Sequence, residues 1–152
     1  MKNATTIILC FFLVMLLVSP VLAMENNNVQ QVVWCSEEQL DDGITIVREI
    51  VVNGAENRSM SKAYTDKRTY TRDGTVIAEI WIDATFRYDT QTVSVVSKSI
   101  SKCETYDGWS FKQSSFTSSG GTVTLTGKLT KLLVLNANVS ISLTCDENGN
   151  IS

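Results

Sequence analysis

Six turn signals, Asp42-Gly43, Asn53-Gly54, Asp73-Gly74, Asp107-Gly108, Gly120-Gly121 and Asn148-Gly149, hold seven of the eight glycines and cut the chain into segments of strand length. Asn and Asp tolerate positive φ and Gly prefers it, which is the geometry of tight turns between twisted antiparallel strands. Between the turns, apolar residues recur with period two. Over 78–88, Ala78, Ile80, Ile82, Ala84, Phe86 and Tyr88 fall on one face, and Glu79, Trp81, Asp83, Thr85 and Arg87 on the other. The alternation returns at Val123, Thr124, Leu125 and Thr126, and again over 139–145, where it puts Cys145 on the apolar face. Such a strand keeps a core on one side and water on the other, as antiparallel sheets allow. Segments 44–52, 62–70, 92–102 and 109–113 supply the remaining expected strands. Gly127, inside the strand that starts at Thr122, marks a bulge or a close crossing.

About seven strands and no long helical pattern predict an all-β domain over 44–152, an antiparallel β-sandwich of immunoglobulin-like architecture, with a small β-barrel as the alternative. The immunoglobulin likeness is one of architecture alone, because Trp109 follows Cys103 too soon and Leu143 stands where a tyrosine corner would be. Residues 24–43 read as a polar N-terminal arm. Its start is Asn-rich; beyond it, Val32-Val33-Trp34 could open a strand, while Ser36-Glu37-Glu38-Gln39 fits a helix capping box. A short helix and an irregular arm both remain open there.

Residues 1–23 have the form of an export signal. Lys2 supplies the positive start, 7–18 form an uninterrupted apolar core, and Ser19-Pro20 break it before Val21-Leu22-Ala23. That core of a dozen residues is shorter than the ~20 of a spanning helix, so cleavage after Ala23 and a secreted, extracellular protein are expected. Membrane attachment is expected only if the segment is retained. Pro20 is the only proline, so no proline-dependent wall-sorting motif follows.

An oxidising exterior permits disulfides, and three cysteines remain after cleavage: Cys35, Cys103 and Cys145. The expected bridge is Cys103 to Cys145, since both lie in the strand-rich region. Cys35 is then the spare thiol, available for an intermolecular disulfide and a homodimer, or else capped or buried. Without proline, sheet edges rely on lysines such as Lys62, Lys98 and Lys128, or on pairing with a partner.

Composition excludes several chemistries. There is no histidine, which removes Ser-His-Asp and Cys-His catalysis, imidazole acid-base work and most zinc sites. Metal or proton-transfer chemistry would rest on carboxylates, and no cofactor or metal is expected. Loss of Lys2 takes the net charge from −3 to −4, and the basic residues are scattered, which argues against nucleic acid and against a cationic peptide lying on anionic membranes.

Thr85-Phe86-Arg87-Tyr88-Asp89, Tyr106-Asp107-Gly108-Trp109-Ser110, Gly121-Thr122-Val123-Thr124-Leu125-Thr126-Gly127 and the last ten residues from Leu143 together resemble small secreted proteins of Gram-positive bacteria that carry no assigned activity. The likeness covers the C-terminal half. It implies an exported β-rich fold of bacterial origin and brings no catalytic residues with it.

Among candidate sites, Trp81 sits between Glu79 and Asp83 on the polar face, with Arg87 further along. Trp81, Asp83 and Arg87 form the expected ligand-binding set, an aromatic ring for a sugar to stack on with charged groups for its hydroxyls. The competing expectation is that Trp81 packs under a neighbouring strand or the arm. Asp146, Glu147, Asn148, Gly149 and Asn150 offer oxygen ligands but lack the spacing and distal Glu of a calcium loop, so a plain turn is expected. Asp83 with Asp89, or Glu104 with Asp107, are read as surface charges rather than a glycosidase pair.

The leading functional expectation is a secreted, non-catalytic binding protein for an envelope glycan or another protein. A bacteriocin-like effector or toxin is the alternative, and an enzyme ranks last for want of histidine or a nucleophile motif. Intact mass spectrometry of the protein collected from culture medium should return residues 24–152. A mass that includes residues 1–23 would show that the segment is retained.

Overall fold

The computed structural model describes residues 30–40, 43–53, 61–132 and 134–152. The expected export segment and residues 24–29 of the arm lie outside the described residues. Eight strands follow one another: β1 (Gln30–Gln39), β2 (Ile44–Asn53), β3 (Ser61–Arg72), β4 (Thr75–Asp89), β5 (Thr92–Thr105), β6 (Ser110–Ser119), β7 (Thr122–Lys131) and β8 (Leu135–Thr144). No helix occurs among the described residues. One sheet has the order β1-β2-β3-β4-β5 and the other β6-β7-β8, so the chain is an up-and-down meander interrupted between β5 and β6.

The sandwich is therefore built from hairpins, and it shares only its two-layer architecture with the immunoglobulin arrangement. The Asp73-Gly74 turn shows why the strands reverse where they do. Asp73 has φ of 50° and Gly74 of 77°, the two successive positive values of a type I′ hairpin, whose twist matches that of the flanking strands. Successive reversals put the β3–β4 and β5–β6 turns and the C-terminal end of β7 at one end of the molecule, and the β4–β5 and β6–β7 turns with the C-terminal tail at the opposite end.

The expected polar arm differs from the observed structure over 30–39, which is the edge strand β1, paired with β2 on both sides of a bulge. All ten of its residues are exposed. The smaller sheet does not cover this edge, so neither face of β1 carries the apolar alternation that reveals a strand in sequence. A register shift between Val32 and Trp34 interrupts its pairing, and bulges of this kind blunt an edge against further strands.

The core lies between the sheets. Ile44, Ile50, Ile80, Ile82 and Phe86 of the larger sheet meet Val123, Leu125, Leu129, Ile141 and Leu143 of the smaller one, all with no exposure. Gly127 belongs to this layer. The ring of Phe111 lies against it and would collide with a Cβ there, and the β6 register shifts between Gln113 and Ser115 directly opposite. The expected bulge and the close approach thus coincide, with the extra residue on the partner strand.

A charged cluster breaks the apolar pattern of the inner face. Asp66 of β3 is completely buried, and Arg48 of β2 and Arg68 two residues along β3 both reach it. Arg48 Nε donates to Asp66 Oδ2 at 2.9 Å; Arg68 donates to Oδ1 through Nε at 3.1 Å and to Oδ2 through Nη2 at 3.3 Å. Arg48 Nη2 also donates to the backbone oxygen of Ser142 at 3.0 Å, which ties the larger sheet to the free edge of β8. Lys98 does the same on the other flank, donating to Phe116 O at 2.9 Å.

The expected Cys103–Cys145 bridge is absent, and the topology explains why. Cys103 pairs with Ile80 near the end of β5, whereas the Cys145 amide donates to Gly121 O, beside Val93 at the start of β5. About 30 Å of extended strand separates Val93 from Cys103, far beyond the roughly 7 Å that a disulfide spans between Cα atoms. Cys145 is a buried thiol of the core and Cys103 an exposed one, while Cys35 lies exposed on β1.

Removing Asp66 leaves two guanidinium groups without their shared counter-charge. Asp66→Asn should therefore cost about 3–5 kcal/mol in urea unfolding. Replacing the whole cluster, as Arg48→Met/Asp66→Leu/Arg68→Met, should recover most of that loss; an unchanged stability in Asp66→Asn would refute the assignment.

Candidate functional site

The outer face of the five-stranded sheet carries the most organised polar surface. Alternation along β4 turns Glu79, Trp81 and Asp83 outward. The register then sets Lys67 of β3 and Lys102 of β5 on either side of Trp81, Thr65 beside Asp83, and Glu104 beside Glu79. Lys67 Nζ lies 4.9 Å and Lys102 Nζ 4.7 Å from the centroid of the Trp81 ring, so the indole stands half-buried between two ammonium groups. It is neither an open stacking platform nor buried under β1. Its Nε1–H is inaccessible and has no acceptor among the described residues.

Two shallow depressions flank this indole. One, of about 290 Å³, is lined by Gln30, Asn53, Thr65, Lys67, Asp83 and Ser101 with Trp81. The other, of about 310 Å³, is lined by Val47, Glu49, Thr69 and Glu79 with Lys67 and Trp81. In the first, a hydrogen-bonded chain crosses all five strands. Gln30 Nε2 donates to Asn53 Oδ1 at 3.3 Å, Asn53 Nδ2 to Thr65 Oγ1 at 2.8 Å, and Thr65 Oγ1 to Asp83 Oδ1 at 2.7 Å. From the far side, Ser101 Oγ donates to the same Oδ1 at 3.0 Å. Both donors converge on one oxygen of Asp83, and no donor among the described residues reaches the other.

Beside Trp81, Glu79 and Glu104 share two donors. Tyr106 Oη lies 2.6 Å from Oε2 of each, and Lys102 Nζ lies 2.7 Å from Glu79 and 3.3 Å from Glu104. The hydrogen bond from Lys102, then that from Tyr106, holds the Glu79 carboxyl below its ordinary 4.5. For Glu104 the order is Tyr106, then Lys102, with the same direction. Glu79 raises Lys102 in turn, and Glu104 followed by Glu79 raises the Tyr106 phenol. Every shift in this group leads away from neutrality, so near pH 7 the carboxylates and ammonium are charged, the phenol is neutral, and none is poised to exchange a proton.

Of the expected ligand-binding set, Trp81 and Asp83 come together and Arg87 does not. Arg87 lies four residues beyond Asp83, exposed, between Ser61 and Ser94. Asp89 caps the β4–β5 turn, accepting from the Thr92 amide at 2.8 Å and its hydroxyl at 3.0 Å. Asp146 closes the tail as a turn, accepting from the Asn148 and Asn150 amides at 2.9 and 2.8 Å and from the Asn150 side chain at 2.8 Å. Asp107 sits in the β5–β6 turn with φ of 52°, and Glu104 meets Glu79 instead. The Cys145 thiol is pushed up to about 11, mainly by burial, which leaves it a poor nucleophile near neutrality.

Lys67, Lys102, Tyr106, Thr65, Asn53 and Ser101 were not legible as site residues, because only cross-strand register places them around Trp81. No protein-family model, curated protein or solved structure matches the chain. The site is accordingly defined by its own chemistry.

Because the Glu79 and Glu104 values are depressed, their contribution to stability is complete above pH 4.5 and is lost as pH falls through the folded-state values. Lys102 and Tyr106 contribute below pH 10.5 and 10.0 respectively, and lose that contribution as pH rises through their elevated values. Lys102→Ala should move the Glu79 carboxyl back up and shift acid unfolding to higher pH. Carboxyl-carbon NMR titration measures the first and tryptophan emission the second; a Glu79 titration identical to wild type would rule out the pairing.

Proposed function

We propose that the protein is a secreted, non-catalytic binding module that takes a glycan of the cell envelope on the Trp81 face. The observation that carries this reading is the Asp83 carboxylate oxygen that no donor among the described residues reaches, in a polar depression beside the Trp81 indole. A ligand hydroxyl that donates to this oxygen makes a charge-assisted hydrogen bond without displacing an internal one. The groups around it suit a polyol. Asp83 offers an acceptor oxygen, Lys67 offers an ammonium outside the ion pairs of the described residues, and the indole edge supplies an apolar contact.

Both depressions lie at the small end of the roughly 300–1,000 Å³ range of small-molecule sites. Their shallowness favours successive units of a chain over an enclosed molecule. Lys67 and Lys102 cover the ring faces, so recognition rests on hydrogen bonds to the polar groups around the indole more than on stacking. The proton inertness of the Glu79, Glu104 and Tyr106 group favours binding without turnover.

Purified protein titrated with solubilised cell-wall glycan should bind saturably and release no product. Asp83→Ala should weaken binding roughly fivefold, the cost of one lost hydrogen bond, and Trp81→Phe, which removes the indole's five-membered ring together with its N–H, should weaken it at least as much. Absence of saturable binding, or equal affinity in both variants and wild type, would overturn the proposal.

A further inference from the structure

The three-stranded sheet has a charge unlike that of the rest of the molecule. From Ser110 to Thr144 the chain contains Lys112, Lys128 and Lys131 and no Asp or Glu, although the protein as a whole carries −3. Lys112 and Lys128 are directly opposite each other on β6 and β7, and both are exposed. Among the described residues no carboxylate pairs with any of the three lysines. Like charges facing across a ladder destabilise a sheet, so this arrangement gives the isolated fold nothing.

The turn that follows β7 compounds the anomaly. Leu132 is 82% exposed and Val134 79%, the two most exposed large apolar residues described. Leu132 also has φ of 52°, in the left-handed region that Gly and Asn enter far more readily than a bulky aliphatic residue. Two aliphatic side chains are thus held in water on a strained tip. Lys131 adjoins this tip, and Lys128 lies on the strand that leads to it. Strain of this kind persists where function retains it.

We propose that the β7–β8 tip inserts Leu132 and Val134 into the interface of an anionic lipid bilayer while Lys128, Lys131 and Lys112 engage its phosphates. An aliphatic tip backed by cations matches the two layers of such a surface, with acyl chains below and anionic headgroups above. A protein partner fits less well. A stable protein interface needs about 1,000 Å² or more with a central anchor, and the tip of a narrow hairpin cannot supply that area. A second copy of this face would bring like charges together. This surface belongs to the opposite layer from Trp81, so it stands independently of glycan binding.

The test uses the protein expressed with its own N-terminal segment and collected from the medium, mixed with vesicles of phosphatidylcholine alone or with phosphatidylglycerol, and separated by flotation. Wild type should float with the anionic vesicles and be released by added salt. Leu132→Asn/Val134→Asn should bind roughly tenfold more weakly or worse, since burial of both aliphatic groups is lost, while its melting temperature holds or rises because Asn tolerates positive φ. Lys112→Gln/Lys128→Gln/Lys131→Gln should bind both vesicle types alike. Trp81→Phe should float as wild type does, which separates this surface from the glycan site. No flotation of wild type with anionic vesicles, or undiminished flotation of the tip variant, would overturn the proposal. Self-association abolished by the tip variant in the absence of flotation would overturn it in favour of a second copy as the occupant.

Discussion

The sandwich is organised around one carboxylate. Asp66 lies on the inner face of β3 with no exposure, and it is tolerated there because Arg48 and Arg68 both donate to it. A buried charge without partners would cost several kcal/mol, and even a well-paired one is on average no more stabilising than an apolar residue of similar size. What the cluster adds is specificity of register. Slipping β2 or β3 by one residue would turn Arg48 or Asp66 to the outer face and leave the other charge alone in the core. Because Arg48 also reaches Ser142 O, the same interaction fixes where the free edge of β8 lies against the larger sheet.

Register set inside determines the chemistry outside. Arg68 faces Ile80 on the inner surface, so its neighbour Lys67 must face Trp81 on the outer one, and Thr65 must face Asp83. The hydrogen-bonded chain from Gln30 to Ser101 depends on four strand pairings being correct at once. Asp83 therefore presents its second oxygen from a fixed position, and the Trp81 indole is held between two lysines whose strands cannot slide. Preorganisation of this kind reduces the ordering cost of binding, which is where a shallow site gains most.

Much of this fold was legible in the sequence, for local reasons. Turn residues and period-two alternation located β2 through β8, and the polar face of β4 brought Trp81 and Asp83 forward together. What was not legible depends on long-range placement. β1 shows no alternation because nothing covers either of its faces, and an uncovered strand leaves no hydrophobic pattern. Nothing in the local sequence marks Asp66 and Arg68 as buried, because the partner that makes burial tolerable, Arg48, comes from a neighbouring strand. The cysteine pairing failed for a topological reason: β5 and β8 run in opposite directions, so cysteines near their C-terminal ends lie at opposite ends of the sandwich. A Greek-key connection could have brought them together, and a meander cannot.

Whole-chain charge averages over two unlike layers. A balance of −3 argues against anionic surfaces only if charge is spread evenly, and here it is not. Among the described residues, the carboxylates outside the C-terminal tail lie on the larger sheet and its turns, whereas the charged side chains of the smaller sheet are lysines alone. At physiological ionic strength a charge is felt over about 8 Å, comparable to the ~10 Å between two packed sheets. Each layer therefore presents its own sign to whatever approaches it, and the sum over both describes neither. The mixed outer face of the larger sheet can hold hydrogen-bonding ligands through paired groups, while the smaller sheet keeps its cations uncompensated next to an aliphatic tip. Two layers joined by one turn and a few bridging side chains thus offer two chemically distinct surfaces, and the division between them is drawn by the same core that holds Asp66.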